Sequence, residues 1–300
     1  MPSRADATLT PSAITLGTSG LGDRADAVAT ARALLRTEHA MIDTSNAYDG
    51  GRSEQVIGRA IADLGGLPAH VQVISKADRD LGTGTFDRDR VLRSFEESTS
   101  RLGLDSLPLY QLHDPYTITV AEAMAPGGAV QGLVELREQG AVGAIGVAAG
   151  PSALLTAYLE TGAFDAVLSH NRFTLVDRSA ADLFDRARRR GIVVFNAAPF
   201  GGGMLADGAR SGARYAYRDA PAELLAWVQR ADEVCARHRV PLAAAALAFS
   251  TRQVMISSTV VGLGSQARLT ELAALLATPI PEDLWPALDA LGPPPSPLTD

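Results

Sequence analysis

The chain of 300 residues holds one cysteine, Cys235, five histidines and one lysine, Lys76; every other basic residue is arginine. A single cysteine excludes an internal disulfide and suits a reducing compartment, so a cytoplasmic protein is expected. The opening "MPSRADATLTPS" lacks the apolar core of an export signal. The longest apolar stretch, "VPLAAAALAFS", is too short and too alanine-rich to span a bilayer and reads as a buried helix. A metal-dependent hydrolase needs several His and carboxylate ligands at strand ends, and five scattered histidines do not supply them; no metal is expected. A net charge of -7, mixed in sign along the chain, argues against a nucleic-acid or acidic-membrane partner. The one basic cluster, "RARRRG" (186–191), reads as the solvated last turn of a helix, where cations suit the dipole.

What the chain does have is alternation. Short β-branched runs ("AITLG", "AMIDTS", "VQVISK", "LPLYQLH", "AVGAIGV", "DAVLSH", "GIVVFN", "STVVG") are separated by amphipathic stretches of ten or more residues. In "SEQVIGRAIADL", Val56, Ile57, Ala60, Ile61 and Leu64 share one helical face; "DRDRVLRSFEESTSRLG" does the same with Val91, Leu92, Phe95 and Leu102 and stops at Gly103. Continuous apolar strands alternating with helices mark a parallel sheet covered by helices. Eight such units fit one α/β domain, a (β/α)8 TIM barrel over residues 1–300. A doubly wound sheet is the rival, but "LGTSGLGD" after the first strand lacks the G-x-G-x-x-G spacing. The proline-rich end, about 292–300, is expected to be a loose tail.

In a barrel, chemistry sits at the C-terminal strand ends. The second strand ends in Asp43, the third in Lys76 and the fourth in His113, and Tyr48 follows Asp43 in a loop long enough to fold over the barrel mouth. Each has a purely structural alternative: Asp43 as a turn cap, His113 as a hydrogen-bonded loop residue, Tyr48 as a rim aromatic. Together they point to chemistry, and Lys76 most of all, because arginine serves elsewhere in this chain. An ammonium beside a phenol lowers the phenol's pKa from near 10, an aspartate holds the ammonium, and a histidine polarises a carbonyl. Such a site moves a proton to or from a carbonyl oxygen.

Glycine-rich segments close the seventh and eighth strands, "NAAPFGGGML" and "STVVGLGSQARLTEL", where barrels often bind phosphate; the helix starting near Ser265 would offer free N–H groups to an anion. These segments, with "IDTSNAYDGGRSEQVIGRAI", "VISKADRD" and "RLGLDSLPLYQLHDP", resemble the aldo-keto reductase family over nearly the whole chain, "LHDP" and "NAAPFGGGML" looking most like its L-fucose and D-threo-aldose 1-dehydrogenase branch. The resemblance implies an oxidoreductase that uses NADP or NAD on a small carbonyl or sugar substrate, with Tyr48 as general acid/base, Lys76 and Asp43 tuning it and His113 orienting the carbonyl. It places the nucleotide against Gly17, Thr18, His170, Asn171, Phe200, Gly201, Gly202, Gly262, Gly264, Ser265 and Arg268. Five positions depart from the family: Ala148 and Ala149 replace a Ser-Asn pair, Ala197 replaces an aromatic, and Gly262-Leu263 replaces Lys-Ser, which opens the choice between NAD and NADP. A nucleotide-binding regulatory protein of the same fold with little turnover is the functional alternative. The segment 206–221 is long enough for a lid, with Tyr215 and Tyr217 free to stack on a ring and Arg214 and Arg218 to attract an anion.

Overall fold

The computed structural model describes residues 9, 11–208 and 213–295. Eight parallel strands close a barrel in the order β1-β10-β7-β6-β5-β4-β3-β2. They are β1 (Ile14–Gly17), β2 (Met41–Asp43), β3 (Gln72–Ala77), β4 (Leu107–His113), β5 (Val142–Ala149), β6 (Ala166–His170), β7 (Val193–Ala197) and β10 (Ser258–Gly262); β8 (Arg214–Tyr215) and β9 (Arg218–Asp219) form a separate antiparallel hairpin. This is the (β/α)8 barrel expected from the alternation, and each of the eight β-branched runs supplies one of its strands.

Side chains alternate across a strand, and two apolar cores result. Met41, Ile74, Leu109, Ala144, Leu168, Phe195 and Val260 pack inside the barrel. Their outward neighbours, among them Ile42, Val73, Tyr110, Val147, Val167 and Val194, pack under the surrounding helices. Continuing each inward row by two or four residues reaches the mouth, at Asp43, Lys76, His113, Ala148, His170, Ala197 and Gly262. The register carries the rows together: Gly17 pairs with Asp43, Asp43 with Ile74, Lys76 with Gln111 and His113 with Ala148.

The helices begin and end as their sequences dictate. In the helix Arg88–Leu102, the Asp87 side chain accepts the Arg90 N–H and Gly103 closes the last turn in the left-handed region at φ 68°. "RARRRG" ends the helix Ala181–Arg189 as a solvated turn, with Arg186 and Arg189 paired to Asp182 and Asp185. The helix Leu242–Thr251, from "VPLAAAALAFS", is buried along most of its length. Among the described residues no helix is long and apolar enough to cross a membrane. The start of the proline-rich tail differs from expectation. Trp227 donates its indole N–H to the Gly292 carbonyl at 3.2 Å, which ties the chain down there; residues 296–300 lie outside those described.

The helix Arg52–Asp63 crosses the end of the helix Arg88–Leu102 through Gly58, where an added Cβ would run into the Arg101 carbonyl. Helix propensity favours Gly58→Ala by about 1 kcal/mol, whereas overpacking a close backbone contact costs about 1–3 kcal/mol. Packing is expected to win, so Gly58→Ala should lower the midpoint of urea unfolding; a raised midpoint would contradict this contact.

Candidate active site

Lys76 is buried, at 1% exposure, in the mouth of the barrel. An ammonium has three N–H groups and no acceptor, and each finds an oxygen: Asp43 Oδ1 at 2.7 Å, the Thr44 carbonyl at 2.8 Å and Tyr48 Oη at 3.1 Å. Burial works against the charge on Lys76, but Asp43 and Tyr48 more than offset it and hold its pKa above the ordinary lysine value. Tyr48 Oη therefore accepts from Lys76, which leaves its own O–H to donate elsewhere, and Tyr48 lines the cavity. The ammonium also lies 4.5 Å from the centroid of the Tyr48 ring.

The expected lowering of the phenol's pKa is outweighed. Burial pushes Tyr48 up to about 12, and the pull of Lys76 only partly offsets it. Tyr48 is consequently a neutral phenol at physiological pH, a proton donor in its resting form. Its loop is pinned from outside the barrel. The Asn46 amide donates to the Ser94 carbonyl and Glu97, while Arg101 donates to the Asn46 carbonyl. Asp49, at φ 51°, accepts the Gly22 N–H at 2.7 Å.

His113 meets Tyr48 edge-on, with ring centroids 5.6 Å apart. Its Nδ1 lies 2.7 Å from Asp78 Oδ1 and 3.1 Å from Ser45 Oγ. Asp78 is two residues past Lys76, on the same inward row, and also accepts from the Ser45 hydroxyl and, at 3.0 Å, from the Ala47 N–H. Burial opposes the imidazolium, but Asp78 overcomes it and holds the His113 pKa above its ordinary value; burial likewise opposes the Asp78 carboxylate, and His113 holds it below its own. With Nδ1 given to Asp78, Nε2 faces the cavity, and it carries a proton to donate when the ring is charged.

These groups line a cavity of about 190 Å³ together with Gly17, Thr18, Asp114, His170 and Tyr217, over a floor of Ala148, Leu168, Ala197 and Val260. It adjoins a cleft of about 340 Å³ running out between Ser19, Gly20 and Arg24 on one side and Phe200, Gly202 and Gly203 on the other, to Gly264, Arg268 and Glu271. Ser19, Ala198 and Gly262 line both.

The arrangement fits a nicotinamide nucleotide laid across the mouth. Asp43 Oδ2 is buried without a hydrogen-bond partner, an acceptor suited to a sugar hydroxyl. A Cβ on Gly17 would press on Val260 Cγ1 at 3.2 Å and the Val261 carbonyl at 3.3 Å, so the absence of a side chain there keeps that wall of the mouth unstrained. Ser265 caps the helix Gln266–Leu276 at the far end of the cleft, where unpaired N–H groups favour an anion.

The other sequence-predicted contacts divide. Thr18 lines the cavity, yet its N–H and hydroxyl both donate to the Asp43 carbonyl, at 3.0 and 2.9 Å. His170 reaches the cavity, whereas Asn171 turns its amide to His170 Nδ1 at 3.1 Å and lines neither space. Gly201, at φ 59°, lies against the Tyr215 ring, where any Cβ would collide. Tyr215 is therefore buried, its hydroxyl on the Asn171 carbonyl at 2.9 Å, and does not stack on a ligand. Tyr217 is 72% exposed at the cavity mouth. Arg214 and Arg218 are exposed, Arg214 near Asp219 at 3.8 Å; of the segment 206–221, residues 209–212 lie outside those described. Sequence reasoning missed Asp78 and the individual role of Asp114, and it missed Glu271 and Asp207 beside Arg268. The inward alternation of β3, Ile74 to Lys76 to Asp78, is the signal that would have found the first.

A model of the aldo/keto reductase family matches residues 13–293. The chain is 28% identical over 327 aligned positions to a pyridoxal 4-dehydrogenase of Microbacterium luteolum, covering 95% of each. It is 33% identical to a D-threo-aldose 1-dehydrogenase of a Pseudomonas species, covering 68% of this chain and 62% of that one. Among solved structures, an aldo-keto reductase of Bacillus halodurans in its holo form superposes with a TM-score of 0.77 at 20% identity, over 94% of this chain and 92% of that one.

His113 titrates within reach of Asp78, Lys76, Tyr48, Asp114 and His170. Because its folded pKa is raised, the stability it contributes is complete below 6.5 and is lost as pH rises through the raised value. Asp78→Asn should move the His113 midpoint down, followed by NMR of its ring protons; an unmoved midpoint would show that Asp78 does not set the charge.

Proposed function

The chain belongs to the aldo/keto reductase family, and from that premise we propose that it is a nicotinamide-dependent oxidoreductase acting on the carbonyl or lactol carbon of a small sugar or aldehyde, with Tyr48 as the general acid/base. The observation that carries the reading is the satisfied ammonium of Lys76, which leaves the Tyr48 O–H to donate elsewhere, beside a cavity that Tyr48 lines with His113.

The nucleotide, when bound, supplies or accepts the hydride. The protein's part is proton transfer and orientation. In reduction, Tyr48 Oη gives its proton to the carbonyl oxygen as that oxygen becomes basic, and Lys76, 3.1 Å away, stabilises the phenolate left behind. His113 Nε2 donates to the same oxygen and fixes its direction, with Asp78 holding the ring from behind. In oxidation the roles reverse: Tyr48, as phenolate, takes the hydroxyl proton. A neutral phenol pushed up to about 12 favours the donor role at neutral pH and makes oxidation the more alkaline direction. Ala148 and Ala197, small side chains at the mouth, would leave a nicotinamide ring room but offer it no side-chain hydrogen bond, and His170, which lines the same cavity, is our candidate partner for its carboxamide.

We read the cofactor as NAD(H) in preference to NADP(H). Gly262 and Leu263 bring no cation to the far cleft, and Arg268 is already paired with Glu271 at 3.0 Å and faces Asp207 at 3.7 Å. A 2′-phosphate would be repelled by the carboxylates there, whereas a 2′-hydroxyl could donate a hydrogen bond to one of them. A relative that is 24% identical, from Escherichia coli, is an NADH-specific methylglyoxal reductase. The lone Cys235, buried as a free thiol, supports placement in a reducing cytoplasm.

Fluorescence titration is expected to give NADH at least about tenfold tighter binding than NADPH, a difference near 1.4 kcal/mol; equal affinities would overturn the cofactor reading. Tyr48→Phe should keep NADH binding and lose turnover by about 10²- to 10⁴-fold across a panel of aldoses and aldehydes. Nucleotide binding by the unaltered protein with no turnover of the panel would instead favour the regulatory reading, to which the missing polar side chains at Ala148 and Ala149 lend support.

A further inference from the structure

Asp114, directly after His113, is placed unlike an ordinary loop aspartate. Its backbone sits at φ 43°, outside the region most residues prefer, and is held there by its N–H on the Ala148 carbonyl at 2.9 Å. The side chain lines the same cavity as Tyr48 and His113. Its Oδ2 is 3.9 Å from His113 Nε2 and its Oδ1 3.9 Å from His170 Nε2, both beyond hydrogen-bond length. Oδ1 is buried and has no hydrogen-bond partner. Burial opposes the charge, yet His170, His113 and the Tyr116 hydroxyl together hold the carboxyl down at about 2, so it is ionised at neutral pH. An ionised carboxylate only accepts. A buried acceptor left unpaired is destabilising, and a donor entering the cavity would relieve it.

The position of that donor follows from the proton-transfer geometry of the proposed function, on which this inference rests. Asp114 lines the same cavity beside His113 Nε2, so a carbonyl oxygen shared by Tyr48 Oη and His113 Nε2 leaves the carboxylate within reach of an oxygen on the neighbouring carbon. We propose that Asp114 is a specificity-determining residue that accepts a hydrogen bond from a hydroxyl on the carbon next to the reacting carbonyl or lactol carbon. The pocket then selects 2-hydroxy aldehydes and ring-closed sugars over aldehydes without that hydroxyl. It turns away 2-oxo acids, whose carboxylate would face Asp114 across a small cavity. Discrimination of this kind is strong because a substrate without the hydroxyl leaves the buried oxygen unpaired.

Lactaldehyde and propanal differ by that one hydroxyl and make the test. With NADH saturating, the unaltered protein should favour lactaldehyde in kcat/KM by about a hundredfold or more. Asp114→Ala should bring the ratio to within about tenfold by lowering the value for lactaldehyde far more than that for propanal, mainly through KM. Asp114→Asn, which keeps an acceptor oxygen but loses the charge, should retain part of the preference and begin to accept glyoxylate. A ratio unchanged in Asp114→Ala, or a fall shared equally by both aldehydes through kcat, would overturn the proposal, since the second is what a residue that merely positions His113 would produce. Failure of the unaltered protein to reduce either aldehyde or oxidise any aldose while binding NADH would overturn the oxidoreductase reading itself, and the inference with it.

Discussion

Three hydrogen bonds on one ammonium organise this molecule. Lys76 brings a full charge into the barrel mouth, and a buried charge left unpaired would cost several kcal/mol, a large share of a domain's net stability of about 5–15 kcal/mol. It is tolerated because Asp43, the Thr44 carbonyl and Tyr48 take all three of its protons. The same saturation underlies the proposed chemistry: the tyrosine oxygen is used as an acceptor, so its own hydrogen is left for a partner other than Lys76. A guanidinium, with five donors in a planar fork, fits neither the three acceptors nor the space. This mismatch is the reason proposed for a lysine in a chain otherwise committed to arginine.

The rest of the mouth repeats a pairing rule. His113 has Asp78 behind it, and Asp114 lies between His113 and His170, so each cationic or potentially cationic group has a carboxylate within 4 Å. Below them the inward side chains turn apolar, so these charges interact at low local dielectric. The loops that carry the site are fastened outside the barrel. Asn46 is held by Ser94 and Glu97, and buried Glu54 accepts from Ser75 at 2.6 Å, next to Lys76 on β3. The geometry of the barrel mouth depends on the packing of the helices Arg52–Asp63 and Arg88–Leu102 against one another.

How much of this could be read in the sequence follows the physics of each signal. The barrel was legible because continuous β-branched runs alternate with 3.6-residue periodicity eight times. Asp43, Lys76 and His113 were legible because they end strands, and Lys76 because it is the one lysine. The electrostatics were not. Burial, a property of the assembled barrel, raises Tyr48 where a pairwise view of ammonium and phenol lowers it. Tyr215 could not be separated from Tyr217 by sequence: only the contact with Gly201 shows that the first is buried. Asp78 and Asp114 were hidden for a different reason. Each lies one step beyond a strand end, so a reading that stops at the strand passes over it, although the inward alternation of β3 runs on to Asp78. Only the assembled barrel brings His113 to Asp78 and His170 to Asp114.

The central claim is that the ammonium between Asp43 and Tyr48 is matched to lysine geometry and controls proton transfer. The most direct measurement is turnover of Lys76→Arg with NADH and the best aldehyde of the panel, alongside its thermal midpoint and NADH affinity. Loss of at least about a hundredfold in kcat, with fold and nucleotide binding retained, is the expected result. A near-native kcat would contradict the claim, since positive charge of any shape would then serve at position 76.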